Sequence, residues 1–224
     1  MTYWFYDLAK FVLWLLFRLG FGLEVRGHEH IPTHGAFVLA SNHTSYLDPP
    51  VLGAACPRRL GFMARADLFQ HLFLGTLLRG LHVIPLQRGE HDLGAIREAV
   101  RRLHRGEAVA IFPEGGRQAS GRLGSAKRGV GLLAAAAEVP VIPTLVTGTF
   151  EALPPHARAL RRAKIRVAFG PAIAYTDASA SPVGSGTSAV TLALPTRSHH
   201  ERLADAVTRQ WHALAAQRSS RQQP

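Results

Sequence analysis

Two short stretches of the chain carry side chains suited to acid–base and anion-binding chemistry. The first, Asn42 to Asp48, places His43 and Asp48 five residues apart. On one continuous helix this spacing separates two side chains by about 140°, so they can pair only if His43 lies in a loop and Asp48 opens the next helix. Pro49 favours that arrangement, because proline suits a first helical turn and aspartate suits the cap before it.

The pairing of His43 with Asp48 would create a general base. A carboxylate at Nδ1 fixes the tautomer of an imidazole and stabilises the imidazolium. Nε2 is then free to accept a proton from a reacting group. Taken alone the spacing is a weak signal, because a surface histidine beside an ordinary capping aspartate has the same pattern.

The second stretch, Phe112 to Arg117, reads FPEGGR and follows a predicted buried strand. Gly115 and Gly116 would let backbone amides approach an anion closely, and Arg117 offers a bidentate fork for phosphate. Ligands of open α/β sheets bind beyond the C-terminal ends of the strands, where this stretch is expected to lie. A glycine turn with a solvated arginine is the alternative interpretation.

The elements that must position these residues alternate between strands and helices. Pro85 marks one strand as an edge or a strand end, and Asp67 is a candidate helix cap. The alternation predicts an α/β domain with a mostly parallel central sheet flanked by helices. Strands are predicted over 35–40, 60–64, 82–86, 108–112, 140–147 and 164–169, and helices over 67–79, 91–105, 127–138 and 199–218.

The N-terminal residues 3–23 are long enough to cross a bilayer, but they carry Asp7, Lys10 and Arg18. On a helical wheel the three charges share an arc of roughly 80°. This pattern is typical of a helix lying in the membrane interface with its polar stripe toward water. A helix packed on the domain and a true membrane span are the alternatives.

These patterns divide the chain into four segments. Residues 1–24 are predicted to be an interfacial membrane-binding helix, and 25–175 the α/β domain. Residues 176–198, rich in Ser, Ala, Thr, Gly and Pro, are predicted to be a flexible loop. Residues 199–224 are predicted to form a C-terminal helix packed on the domain and a tail, because Leu203, Val207, Trp211 and Leu214 share one stripe.

The composition of the chain indicates which classes of protein it can belong to and which kinds of partner it can bind. The chain has 224 residues, of which 47% are apolar, so it can bury a sizeable core and is not a disordered chain. Its net charge of +11 indicates an anionic partner. We expect no nucleic-acid partner, because zinc-finger spacing is absent and no aromatics interleave the basic clusters. The single cysteine, Cys56, excludes a disulfide framework, and no metal or cofactor is predicted.

In this order and on this alternation of elements, the motifs resemble those of the glycerolipid acyltransferases of the lysophosphatidic acid acyltransferase type. The resemblance covers about 25–170, and its departures are Gln87, Gly116 and Ala126, where that family often has Asp, Thr and Phe. The matching blocks are N-H-x-x-x-x-D at Asn42 to Asp48, a block ending in Arg at Gly80 to Arg88, F-P-E-G-T-R at Phe112 to Arg117, a lysine-glycine element at Lys127 to Gly129, and V-P-[VI]-[IV]-P at Val139 to Pro143.

The resemblance implies transfer of a fatty acyl chain from acyl-CoA or acyl carrier protein to the free hydroxyl of a lysophospholipid, with 1-acylglycerol-3-phosphate giving phosphatidic acid. His43 and Asp48 would be the catalytic residues. No G-x-S-x-G elbow is present, so direct attack by the acceptor is favoured over an acyl-enzyme on Ser45 or Cys56. Acylation of another lyso-lipid, such as a lyso-aminolipid, and a non-catalytic lipid-binding module of the same fold are the alternatives.

The resemblance also implies how the acceptor is held and where the protein acts. Arg117 would hold the acceptor phosphate, and Arg88 and Lys127 would be further phosphate contacts. We expect a peripheral or monotopic protein on the cytoplasmic face of the cell membrane, attracted to an anionic membrane surface. The full set of implied substrate-binding residues is Arg88, Glu114, Gly115, Gly116, Arg117 and Lys127.

Overall fold

A computed structural model describes residues 4–87, 93–157, 159–176 and 197–220. Its strands are β1 (Glu24–Arg26), β2 (Phe37–Ser41), β3 (Leu60–Arg65), β4 (Ile84–Leu86), β5 (Ala108–Ile111), β6 (Val141–Thr147) and β7 (Arg166–Phe169). They form one sheet in the order β1-β7-β6-β2-β5-β3-β4. All neighbouring strands run parallel except β6 and β7, so the predicted mostly parallel sheet is confirmed.

Helices cover both faces of the sheet. They are α1 (Trp4–Phe21), α2 (Asp48–Ala55), α3 (Leu72–Gly80), α4 (Leu93–His104), α5 (Gly129–Ala137), α6 (Thr149–Ala152) and α7 (Arg197–Ser220), with 3₁₀ turns at His28–His30 and Ala66–Gln70. Side chains of α1 and α2 share one buried cluster with the sheet, and side chains of α4, α5 and α7 share the other. The described chain is therefore a three-layer α/β structure.

Strand β2 lies at the centre of this core. Phe37 and Leu39 face the α2 side, whereas Val38 and Ala40 face α5 and α7, and all four are fully buried. Burial on both faces explains why this strand is a continuous apolar run without alternation. The buried Trp211 of α7 donates its indole N–H to the carbonyl of Ala40 at 3.1 Å, which ties the C-terminal helix to the strand that precedes His43.

The predicted strands are all present with shifted ends, but several local predictions differ from the structure. The helix predicted over 67–79 is a 3₁₀ turn followed by α3. Asp67 does not cap it, because its carboxylate accepts a hydrogen bond from Arg65 at 3.1 Å. Strand β1 and helix α6 were not predicted, since three or four residues carry too little periodicity. Most of the loop predicted over 176–198 lies outside the described residues, and α7 begins at Arg197.

Helix α1 docks on the domain through its polar residues. The hydroxyl of Tyr6 accepts the backbone N–H of Leu60 at 2.9 Å, and Arg59 donates to Asp7 at 2.8 Å. The ammonium of Lys10 donates to a backbone carbonyl of the loop before β3 at 2.9 Å. Asp7 and Lys10 of the polar stripe therefore bind the domain, while Asp7 and Arg18 also remain exposed to solvent.

The opposite face of α1 is apolar and exposed. None of the helices in the described part of the chain has the length and apolar character needed to cross a bilayer. The exposed side chains are Trp4, Phe5, Leu8, Phe11, Val12, Trp14, Leu15, Leu16 and Leu19.

Candidate active site

The candidate site lies where two neighbouring parallel strands end. Strands β2 and β5 are paired up to Ala40 and Ile111. The chain leaves β2 toward α2 on one face of the sheet and leaves β5 toward α5 on the other. Such a divergence opens a crevice at the C-terminal edge of a sheet, which is the usual ligand site of open α/β folds. The two stretches singled out from the sequence, Asn42 to Asp48 and Phe112 to Arg117, both begin here.

The His43–Asp48 pair forms as predicted. Nδ1 of His43 lies 2.8 Å from Oδ2 of the fully buried Asp48. The same oxygen accepts the backbone N–H groups of Thr44 at 2.7 Å and Ser45 at 2.8 Å, so the carboxylate orients both the ring and its loop. Asp48 opens α2 but does not cap it: Leu47 holds the cap position and Asp48 is the first helical residue. A carboxylate is also favoured there by the helix dipole.

The other ring nitrogen of His43 is available for chemistry. Nε2 makes no hydrogen bond to any residue that the structure describes, and the side chain is 17% exposed. The ring of Phe112 stacks on the imidazole with centroids 4.1 Å apart. Packing on one face and a hydrogen bond at Nδ1 therefore hold the imidazole in place with Nε2 free to meet a substrate.

Glu114 holds the two stretches together. Its carboxylate accepts the backbone N–H of His43 and that of Gly124, each at 2.8 Å. The carbonyl of His43 in turn accepts the N–H of Gln118 at 2.8 Å. Burial raises the pKa of Glu114, and the two hydrogen bonds from backbone N–H groups oppose that shift. The motif resemblance placed Glu114 among the substrate-binding residues but did not reveal its bond to His43, which is formed across 71 residues.

Because both carboxylate oxygens of Glu114 accept hydrogen bonds, a conservative substitution there should strongly affect both stability and turnover. Glu114→Gln keeps the size of the side chain but replaces one acceptor oxygen by an NH₂ group, which would face a backbone N–H. We expect this variant to lose about 1–3 kcal/mol in the free energy of unfolding. It should also lose on the order of 10²-fold in kcat, because the loop carrying His43 would shift. Chemical denaturation and steady-state kinetics measure the two effects.

The exposed Glu151 of α6 supplies the control for that substitution. Glu151→Gln makes the same chemical change at the surface and should leave both quantities unchanged. Normal kinetics in Glu114→Gln would show that the carboxylate does not position the histidine loop.

Arg117 lies in the same crevice. Its guanidinium carbon is 3.6 Å from the centre of the Tyr46 ring, which belongs to the histidine loop. Nη1 of Arg117 is buried and has no hydrogen-bond partner within the described ranges. A buried donor without an acceptor is costly, so this group is suited to an anionic ligand that supplies the missing oxygen.

Gly115 and Lys127 form the rim of the Arg117 loop. Gly115 has φ +79°, a conformation that favours glycine, and the Lys127 ammonium lies over this turn, 2.7 Å from where a Cβ atom would be. The backbone N–H of Lys127 donates to Pro113 at 2.9 Å. A Cβ at Gly116 would meet open space, so sterics do not require glycine where the family often has threonine. Arg88 lies outside the described residues.

Asn42 has a structural role that its place in the motif did not reveal. Its side-chain amide donates to the carbonyl of Val146 at 2.9 Å, and its side-chain oxygen accepts the N–H of the same residue at 2.8 Å. These two bonds continue the pairing of β2 with β6 beyond Ser41 and fix the start of the histidine loop.

Neither alternative nucleophile is placed for attack. The hydroxyl of Ser45 is buried and donates to the carbonyl of Leu153 at 2.7 Å. Cys56 lies in the core under α2, and burial raises the pKa of its thiol to about 11. A thiol with so high a pKa is almost entirely protonated at neutral pH and is a poor nucleophile.

Comparisons with known proteins identify the family of the chain. The family model described as Acyltransferase matches residues 22–147, more than half of the chain, and the protein therefore belongs to the acyltransferase family. It is an acyltransferase enzyme, and the resemblance seen in the motifs is confirmed.

Individual relatives extend over different shares of the chain. The 1-acyl-sn-glycerol-3-phosphate acyltransferase of Bacillus subtilis is 27% identical over 194 residues, which cover 86% of this chain and 94% of that protein. The chloroplastic 1-acyl-sn-glycerol-3-phosphate acyltransferase LPAT1 of Arabidopsis thaliana is 30% identical over 135 residues, 59% of this chain and 38% of that protein. The crystal structure of the 1-acyl-sn-glycerophosphate (LPA) acyltransferase PlsC from Thermotoga maritima has a similar fold, with a TM-score of 0.70 at 23% identity, covering 94% of this chain and 78% of that one.

Proposed function

We propose that the protein transfers a fatty acyl chain from acyl-CoA or acyl carrier protein to the free hydroxyl of 1-acylglycerol-3-phosphate, giving phosphatidic acid. The observation that carries this proposal is an imidazole with Nδ1 bonded to a buried carboxylate, Nε2 free, and an arginine with a free donor in the same crevice. The names of the Bacillus and Arabidopsis relatives support this choice of acceptor.

The proposed reaction is a direct attack on the thioester. The hydrogen bond to Asp48 holds His43 in the tautomer whose lone pair is on Nε2. Nε2 takes the proton of the acceptor hydroxyl as its oxygen bonds to the carbonyl carbon of the thioester. Collapse of the tetrahedral intermediate breaks the carbon–sulfur bond, and the thiolate leaves. The imidazolium then returns its proton to the thiolate or to solvent, which restores the base.

Positive charge favours a phosphate-bearing acceptor over a lyso-aminolipid. The guanidinium of Arg117 has a free donor, and the ammonium of Lys127 lies over the Gly115 turn of the same loop. Hydrogen bonds from charged donors to phosphate oxygens are about twice as strong as neutral ones. A lyso-lipid without phosphate would leave these cations without a partner.

Product analysis tests the proposed function. Purified protein is incubated with 1-acylglycerol-3-phosphate or with a lyso-aminolipid, each with acyl-CoA or acyl carrier protein, and the lipids are identified by mass spectrometry. We expect phosphatidic acid to form at least about tenfold faster than the acylated aminolipid, since charged hydrogen bonds contribute roughly 1.5–3 kcal/mol. His43→Ala protein controls for a contaminating acyltransferase. Equal or faster acylation of the aminolipid would contradict the proposal, and the two donors are ranked in the same assay.

We further propose that α1 lies in the membrane interface, as a peripheral or monotopic anchor on the cytoplasmic face. Its polar residues bind the domain, and its exposed face is aromatic and aliphatic. Such a face is stable in the headgroup layer of a bilayer, and the net charge of +11 adds attraction to anionic lipid. Binding of the full chain to anionic vesicles is the direct test.

A further inference from the structure

A second helix exposes apolar side chains without a partner in the described chain. Helix α3 carries Leu72, 78% exposed, and Phe73, 88% exposed, and Leu74 and Leu77 are also exposed. Soluble monomers rarely present a large contiguous apolar patch, so this face calls for a physical explanation.

Helix α3 lies on the same side of the sheet as α1. Strands β3 and β4 are parallel neighbours, and because crossovers between parallel strands are right-handed, α3 is placed on the face that α2 covers. The side chain of Phe5 in α1 packs against Gly80 at the end of α3, so closely that a Cβ there would lie 2.8 Å from the ring. The start of α1 therefore meets the end of α3, and the exposed faces of both helices lie on this side of the sheet.

This surface collects most of the exposed apolar side chains. Among the described residues, thirteen of the seventeen exposed large hydrophobic side chains belong to α1 or α3. Exposed arginines stand in the last turns of both helices, Arg18 in α1 and Arg79 in α3. An apolar surface with basic residues at its ends matches the headgroup and upper acyl region of an anionic bilayer.

The surface also extends to the edge of the sheet that carries the candidate site. Helix α3 follows the C-terminal end of β3, which runs parallel to β5, so Leu72 and Phe73 lie toward that edge. The last turn of α1 reaches the same edge. The carbonyl of Phe21 accepts a hydrogen bond from the backbone N–H of Ile165. The next residue, Arg166, pairs with Thr147 at the C-terminal end of β6.

We propose that α3 is a second membrane-insertion element and that α1 and α3 together form one bilayer-binding surface. This inference rests on the proposed function, in which the acceptor is a membrane lipid. One interfacial helix leaves the domain free to roll about the axis of that helix. A second contact removes this freedom and holds the crevice of His43 at a fixed height above the membrane.

Site-directed fluorescence measures which residues enter the bilayer. Phe73→Cys, Leu16→Cys on α1 and Leu132→Cys on α5 are each labelled with an environment-sensitive fluorophore in the full chain. Leu132 is the matched control, because it is an exposed leucine on the opposite face of the sheet. The native Cys56 is buried in the core, and unsubstituted protein serves as the labelling blank. On addition of phosphatidylglycerol–phosphatidylcholine vesicles we expect a blue shift at positions 73 and 16 and none at 132.

A second measurement uses charge instead of a label. Leu72→Asp with Phe73→Asp should lower the vesicle partition coefficient at least about tenfold, since burial of one Leu or Phe side chain alone corresponds to such a factor. Leu132→Asp should leave it unchanged. The parent protein, the double Asp variant and Leu132→Asp should turn over a short-chain acceptor, dissolved as monomers, at the same rate. Equal rates show that the crevice is intact in both variants.

The outcomes separate this inference from the proposed function. A blue shift at 16 without one at 73 overturns the role of α3 and leaves α1 as the anchor. No shift at either position shows that the proposed membrane association itself is wrong. The masses of the parent protein and the double Asp variant are also compared by sedimentation in the absence of vesicles. A lower mass for the variant would show that the surface is an interface between copies of the chain, which also overturns the inference.

Discussion

Replacement of His43 by alanine should lower kcat by about 10²- to 10⁴-fold, the range expected when a general base is removed. The fold should persist, because the side chain lies at the edge of the crevice, stacked on Phe112, and its loop is held by backbone bonds to Glu114 and Gln118. Steady-state kinetics measure the first effect, and thermal unfolding measures the second.

Two further variants make this test specific. His34→Ala removes an exposed histidine that precedes β2, at the other end of the strand, and should leave kcat unchanged. Asp48→Asn should lower kcat and also destabilise the protein, because one carboxylate oxygen accepts the ring and two backbone N–H groups. Near-normal turnover in folded His43→Ala protein would remove His43 from the mechanism.

The hydrogen-bonded pair of His43 and Asp48 was predictable from sequence because local rules determine its geometry. A proline after Asp48 marks where α2 begins, and at a spacing of five the two side chains can pair only when the histidine lies outside the helix. The position of the site was predictable for a similar reason, since apolar runs without alternation indicate strands buried on both faces, whose ends meet at one edge.

The contacts between the two loops were not predictable in the same way. Glu114 bonds to a backbone N–H of His43, and any residue type supplies such a donor, so the sequence contains no sign of the partner. The stacking of Tyr46 on Arg117 depends on how the two loops leave the sheet, which is a tertiary property.

The orientation of α1 shows the same limit. A helical wheel locates the polar stripe but cannot show whether its side chains bond to water or to the domain. In the structure Arg59 binds Asp7 and a backbone carbonyl before β3 binds Lys10, whereas Arg18 stays exposed; burial of Tyr6 and Phe17 accompanies these bonds. The apolar face is therefore turned outward by specific contacts on the other side of the helix.

Arg117→Ala should lower kcat/KM for the phosphate-bearing acceptor by on the order of 10²-fold through a rise in acceptor KM, because charged hydrogen bonds contribute about 1.5–3 kcal/mol. The KM of the acyl donor should change little. Arg117→Lys should recover only part of the loss, since an ammonium lacks the planar fork that binds phosphate and stacks on Tyr46. Arg122→Ala, which removes an exposed arginine from the same loop, is the control and should behave as the parent protein.

The acceptor itself provides the sharpest check on this assignment. A monoacylglycerol presents the same hydroxyl chemistry without the phosphate, so it cannot gain from the guanidinium. The parent protein and Arg117→Ala should therefore acylate a monoacylglycerol at similar low rates, although they differ strongly with the phosphorylated acceptor. If Arg117→Ala is equally impaired with both acceptors, the arginine maintains the loop through its contact with Tyr46 and does not recognise the phosphate. A defect confined to the KM of the donor would instead assign this loop to the thioester substrate.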